Sequence, residues 1–162
     1  MNNMAKHIFR HRRGGLSLFL AVAASIYFAG TLLALAEEPL VIIVNAENNI
    51  PSLTTEEVAQ FYNNDKLTWP DGKQVVLYDL KVKDESRARF SRHVLDKEPD
   101  KVAMEWASRK ITNTAKNPPR TVSSAVLMET RVAKDPSAVG YLLKSQVTSD
   151  RVRIVHVIDQ AK

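Results

Sequence analysis

The chain has 162 residues, of which 44% are hydrophobic and 25% are charged. This composition suits a globular domain with an ordinary core, and the length suits one domain better than two. The net charge is +5, but residues 1–36 hold four basic side chains and no acidic ones, which leaves 19 basic against 18 acidic residues in the remainder. That balance excludes a strongly basic face, so we expect no nucleic acid among the partners.

Residues 1–36 have the pattern of a signal peptide. A basic start ends at Arg13, an apolar run extends from Leu16 to Leu33, and Ala34-Leu35-Ala36 fits the small-x-small pattern at a cleavage site. The run is also just long enough for an uncleaved membrane anchor, which needs about 20 residues. With positive charge at the start, either interpretation places residues 37–162 outside the cytoplasm. The sequence therefore predicts a periplasmic domain.

Catalytic and metal-binding patterns are absent from the sequence. It has no cysteine, and none of the common hydrolase, metalloprotease, phosphate-loop or dinucleotide motifs occurs. Beyond residue 36 the histidines are His93 and His156, which are far apart and whose neighbouring carboxylates have simpler explanations as surface residues. We therefore expect a protein that is not an enzyme and that holds no metal or cofactor.

The first half of the domain contains two predicted strands around a well-marked helix. Leu40–Val44 is apolar on both faces, as a buried strand is. Thr54 and Glu57 have the capping-box spacing that starts a helix, and Phe61 lies on its inner face. A second strand is predicted over Gln74–Tyr78. Strands and helices thus begin to alternate along the chain.

The second half continues this alternation. The predicted elements are a helix carrying Phe90, a helix beginning at Pro99, a loop over 113–120, a helix capped by Ser123 or Ser124, and two strands over Ala138–Leu143 and Val152–Ile158. Alternation in the last strand places Val152, Ile154 and His156 on one face. The order of elements predicts an α/β domain with a mixed sheet flanked by helices. Its core should include Val41, Ile43, Val58, Phe61, Trp69, Leu77, Phe90, Val94, Trp106, Met128 and Tyr141.

The loop 81–87 is the candidate site for an anion. It leads into a helix N-terminus, where unpaired backbone N–H groups and the helix dipole favour negative charge. Arg87 lies three residues before Phe90 and should share its inward face. Ser86 offers a hydroxyl, Lys81 and Lys83 approach from the loop, and the helix start at Ser123 could contribute backbone N–H groups. The alternative is a helix capped by Asp84, with Arg87 in solvent.

Several stretches resemble the phosphate-binding family of periplasmic substrate-binding proteins. The helix with Phe61-Tyr62 and the stretch Asn64–Gly72 resemble the family's "IFxGxxxxW" segment and its continuation, and Ala138–Tyr141 looks like its "GAIGY". The resemblance covers roughly residues 40–158. It implies a single lobe of the type II periplasmic-binding-protein fold. It also implies a non-enzymatic protein that binds a small oxyanion, with phosphate the family's expectation, and that works with an ABC permease.

The departures from the family pattern bear on that function. Where the family's phosphate loop reads "GSGT" before "RxxF", this chain has Lys83-Asp84-Glu85-Ser86 followed by Arg87–Phe90. Ser86 keeps a hydroxyl, but two carboxylates stand where bare backbone should face phosphate. The arginine that often precedes the loop would fall at Leu80, with Lys81 a substitute. We therefore expect weak oxyanion binding or none. The alternative is an interaction module that docks on a cell-envelope protein or on a second copy of the chain.

Overall fold

A five-stranded mixed sheet organises the computed structural model, which describes residues 37–158. In chain order the elements are β1 (Leu40–Asn45), α1 (Thr55–Tyr62), β2 (Val76–Leu80), α2 (Glu85–Leu95), α3 (Pro99–Ile111), β3 (Arg120–Val122), α4 (Ala125–Val132), β4 (Ala138–Leu143), a 3-10 turn (Lys144–Gln146) and β5 (Val152–Ile158). The strands lie side by side in the order β3, β2, β4, β1, β5. β2 runs parallel to β3 and β4, whereas β1 runs antiparallel to β4 and β5. The predicted α/β domain with a mixed sheet flanked by helices is confirmed.

The core lies where the strand and helix patterns placed it. All six residues of β1 are buried, because the strand has a neighbour on each side and helices pack against the sheet. All eleven residues predicted for the core are buried. Trp69 is among them, and its indole Nε1 donates a hydrogen bond to the Ser137 carbonyl (2.9 Å). The described helices are each too short or too polar to span a membrane.

The helix starts follow the predicted capping chemistry. The Thr54 hydroxyl accepts from the Glu57 backbone N–H (3.2 Å), and the Glu57 carboxylate accepts from the Thr54 N–H (3.0 Å), which completes the capping box. Pro99 is the first residue of α3. Ser124, rather than Ser123, caps α4 by accepting from the Leu127 N–H. These residues fix where each of the three helices begins.

The boundaries of the second strand and the third strand differ from the prediction. β2 occupies Val76–Leu80 rather than 74–78, because Gln74 makes only an isolated bridge to Thr68 across the preceding turn. The end of the predicted loop 113–120 joins β3, a strand of three residues that pairs in parallel with Tyr78–Leu80. A strand this short carries no alternation that a sequence pattern could show.

The predicted assignment of the β5 side chains to the two faces of the sheet is wrong. The buried residues of β5 are Val152, Val155 and Ile158. The reason is a β-bulge: Ile42 pairs with His156 and Ile43 with Ile154, so Val155 is the extra residue. An extra residue resets the two-residue alternation, and the inward face changes within the strand.

Candidate functional site

A buried ion pair joins the end of β2 to the first turn of α2. Arg87 Nη1 lies 2.5 Å from Asp79 Oδ2, and the two side chains are 3% and 8% exposed. The Tyr141 hydroxyl donates to Asp79 Oδ1 (2.5 Å) and accepts from the Leu80 backbone N–H (3.2 Å). Three elements, β2, α2 and β4, therefore meet at one carboxylate.

Aromatic rings pack together beside this polar cluster. Phe90 stacks on Tyr141 with 4.1 Å between ring centroids, and Tyr62 meets Phe90 edge-on at 4.7 Å. The Tyr62 hydroxyl donates to the Tyr78 carbonyl (2.7 Å), so its polar end is satisfied although the ring is buried. This ring packing fixes the position of the Tyr141 hydroxyl that binds Asp79.

Burial controls the protonation of the cluster. It raises the pKa of Asp79, and this effect exceeds the lowering by the Arg87 guanidinium and the Tyr141 hydroxyl. Burial also raises the pKa of Tyr141 well above its usual value, and the negative charge of Asp79 adds to the rise. The Tyr141 hydroxyl therefore stays protonated and remains a hydrogen-bond donor to Asp79.

Arg87 keeps unused donor capacity inside the protein. Among the described residues, Nε of Arg87 has no hydrogen-bond partner, and Nη1 contacts Asp79 as an ion pair. A buried guanidinium normally satisfies its donors. Nε and Nη1 are both enclosed by protein, so the part of Arg87 that lines the cavity is formed by its other atoms.

A cavity of about 220 Å³ lies beside this ion pair, at the edge where β2 ends and α2 begins. Its lining residues are Asp79, Leu80, Val82, Arg87, Ala103, Trp106, Ala107, Lys110, Pro118, Pro119 and Thr121. The charged members are one carboxylate and two cations, and most of the others are apolar. The cavity can therefore present a guanidinium and an ammonium to an anion between apolar walls.

The helix N-terminus next to the cavity already holds a carboxylate. Asp84 is the N-cap of α2, and its Oδ1 accepts the Ser86 backbone N–H (2.9 Å). A carboxylate at this position uses the donor that an external anion would need and adds a negative charge near the dipole. One backbone donor of the α2 N-terminus is therefore used within the protein.

Of the five predicted anion ligands, the structure brings Arg87 to the cavity. Ser86 is buried in the first turn of α2, and Lys81 and Lys83 are exposed on the preceding loop. Ser123 is exposed before α4. The predicted inward placement of Arg87 is confirmed by its burial beside Phe90.

Sequence reasoning missed several cavity residues. Asp79 had a usable signal, because it is a carboxylate inside an otherwise apolar strand and a buried charge needs a partner. Lys110 and Thr121 had none, since they reach the cavity only through the packing of α3 and the pairing of β3. Trp106 was predicted as a core residue and also lines the cavity.

The part of the chain that the structure describes contains no candidate metal site. No group of three or more histidine, cysteine, aspartate or glutamate side chains is placed to hold a metal ion there. His156 Nε2 lies 2.9 Å from the Thr55 hydroxyl, in a hydrogen bond that ties β5 to α1.

Comparisons with known proteins identify the fold. No family model matches the sequence, and no curated protein matches it. An ABC-type phosphate transport receptor from Vibrio cholerae superposes with a TM-score of 0.56 at 18% identity, over 73% of this chain and 45% of that one. A protein of Clostridium perfringens, described as a phosphate ABC transporter substrate-binding protein and solved with bound phosphate, gives 0.58 at 16% identity, over 73% and 44%.

The predicted resemblance is thus confirmed at the level of the fold, although the matched part of each structure is less than half of its chain. The chain has the mixed α/β fold of phosphate ABC transporter substrate-binding proteins.

Proposed function

We propose that the protein is a periplasmic solute-binding-like protein that takes a small oxyanion, weakly, in the cavity beside Arg87. The observation that carries the proposal is the charge of the cavity lining, in which Arg87 and Lys110 supply two cations against the one carboxylate of Asp79. Phosphate is the first ligand to test, because the similar structures are named for it. In this proposal residues 1–36 are the signal peptide and residues 37–162 the binding domain.

Weak binding follows from how the charges are arranged. Asp79 already balances Arg87, and Asp84 occupies the N-terminus of α2. The chain also spans less than half of the similar binding proteins, so one lobe would supply all of the contacts. Two or three charge-assisted hydrogen bonds contribute about 1.5–3 kcal/mol each, and association removes several kcal/mol. We expect a dissociation constant of about 1 mM.

Calorimetric titration of the purified protein with phosphate and with sulfate tests this proposal. We expect saturable binding in the millimolar range that weakens as salt is added, since the contacts are electrostatic. Micromolar binding by the monomer would contradict the argument from the balanced charges. If neither anion binds, the proposed solute-binding function is wrong.

The second candidate is an interaction module with no solute of its own. One face of α3 favours it: Met104 and Ile111 are 66% and 85% exposed and lie on the same stripe as Ala107, which lines the cavity. An exposed apolar stripe is typical of a contact surface for an envelope protein or a second copy of the chain. Sedimentation of the protein, compared with a Met104→Ser/Ile111→Ser variant, tests the second-copy form: a dimer that the variant loses supports it.

The proposed function is not enzymatic, and it places the protein beside an ABC permease as partner. Both points rest on the similar structures, which are named as a transport receptor and a substrate-binding protein. Crosslinking in cells that express the permease would test the partnership: a specific adduct with a permease subunit supports it.

A further inference from the structure

We propose that the ligand of the Arg87 cavity is a small organic carboxylate rather than an inorganic dianion; this rests on the proposed function and narrows its ligand class. The composition of the cavity wall is the starting point. Its apolar members are Leu80, Val82, Ala103, Trp106, Ala107, Pro118 and Pro119. A hydrocarbon group gains from contact with the apolar part of this wall, whereas a purely polar ion does not.

The charges of the cavity match a monoanion. Asp79 offsets Arg87, which leaves the ammonium of Lys110 as the net charge among the lining residues. A carboxylate has one negative charge, and its two oxygens can accept from a guanidinium and an ammonium together. A dianion would keep one charge uncompensated close to Asp79, which costs most where water is scarce.

The size of the cavity agrees with a small amphipathic ligand. About 220 Å³ is less than the roughly 300–1,000 Å³ of sites for drug-sized molecules. It is still several times the roughly 30 Å³ that one water molecule occupies in the liquid. An inorganic ion bound at Arg87 would leave the wall formed by Trp106 and Pro118 in contact with water. A short hydrocarbon chain attached to the carboxylate would cover it.

A cavity of similar volume elsewhere in the domain differs from the Arg87 cavity in the charge of its lining. It measures about 230 Å³ and is lined by Trp69, Pro70 and Pro136, among others. Its lysine, Lys73, pairs with Asp71 at 3.0 Å. Glu47 also lines that cavity, so its lining has two carboxylates against one cation, and its net charge repels an anion. The Arg87 cavity has two cations, Arg87 and Lys110, against the carboxylate of Asp79.

Titration of the protein with acetate, butyrate and phosphate tests the inference. Each methylene buried against the apolar wall should tighten binding about fourfold, so butyrate should bind about 16 times more tightly than acetate. Butyrate should also bind more tightly than phosphate. If phosphate binds as tightly as butyrate, the inference is overturned while the proposed oxyanion function stands. If none of the three anions binds, the proposed function falls and the inference falls with it.

A matched pair of variants locates the binding. Ala107 is exposed on α3 and lines the cavity, so Ala107→Leu fills the space without disturbing the core. We expect it to weaken butyrate binding at least tenfold. Ser108→Leu adds the same side chain at the next exposed position, outside the lining, and should leave binding unchanged. Unchanged butyrate affinity in Ala107→Leu would place the carboxylate elsewhere and overturn the inference.

Discussion

Helix α2 carries two ion pairs in opposite environments. Near its start, Arg87 pairs with Asp79, and both side chains are less than a tenth exposed. At its end, Arg92 donates through Nε and Nη2 to the Glu98 carboxylate at 3.0–3.2 Å, and these side chains are 54% and 65% exposed. The partners are chemically alike, so the pairs differ mainly in their access to water.

The difference in water access reverses the net pKa shift of the carboxylate, although the arginine lowers the pKa in both pairs. The pKa of Glu98 is lowered, chiefly by its hydrogen bond with Arg92. The pKa of Asp79 is raised, because burial outweighs the contact with Arg87. A buried pair of this kind is weak evidence for stability, since taking both ions out of water costs about as much as their attraction returns. Its structural consequence is a guanidinium held beside the cavity.

The largest effect should come from removing one member of the buried pair. Arg87→Met keeps a long side chain but leaves Asp79 buried without a cation, and we expect it to lower the free energy of unfolding by about 3–5 kcal/mol. Urea unfolding measures this loss. The double variant Asp79→Asn/Arg87→Met removes both charges and should regain at least half of it. A double variant no more stable than Arg87→Met would show that the lost stability comes from packing and not from the unpaired charge.

The pH dependence of stability should reveal the raised pKa of Asp79. A carboxyl group with a raised folded-state pKa binds its proton more tightly in the folded than in the unfolded protein, so its contribution to stability is greatest below the unfolded value of about 3.9. That contribution is lost as the pH rises from there through the folded-state pKa. The stability of the wild type relative to Asp79→Asn should therefore fall over that window. Urea midpoints of both proteins at several pH values check the sign, and a relative gain by the wild type would contradict it.

The negative charges at the start of α2 should have a smaller effect, seen in anion binding. Asp84→Ser keeps a side chain that can cap the helix, and with Glu85→Gly it removes two carboxylates near the cavity. We expect phosphate binding about tenfold tighter, measured by calorimetry. The control Asp100→Ser/Asp150→Gly removes the same charge from exposed positions outside the cavity lining. An equal gain in both variants would mean that net charge, rather than this loop, sets the affinity.

How much of the site around Arg87 the sequence predicts depends on how far apart the interacting residues are in the chain. The inward face of Arg87 follows from its spacing to Phe90, and the capping residue Asp84 is a local choice of side chain, so both could be anticipated. The contact from Asp79 to Tyr141 could not, because it spans 62 residues and exists only once β2 pairs with β4. The bulge at Val155 likewise depends on pairing with β1. Local patterns predict elements and caps, whereas the site depends on sheet order.

The smallest effect should come from the exposed pair on the same helix. Arg92→Gln removes the charge that faces Glu98, yet both side chains are more than half exposed, and salt and water screen their attraction. We expect no measurable change in the urea midpoint and no change in phosphate affinity. The double variant Arg92→Gln/Glu98→Gln completes a cycle whose coupling should lie within error, in contrast to the cycle at Asp79 and Arg87. A coupling at Arg92 and Glu98 as large as that of the buried pair would mean that burial does not set the strength of these contacts, and the comparison between the two ends of α2 would fail.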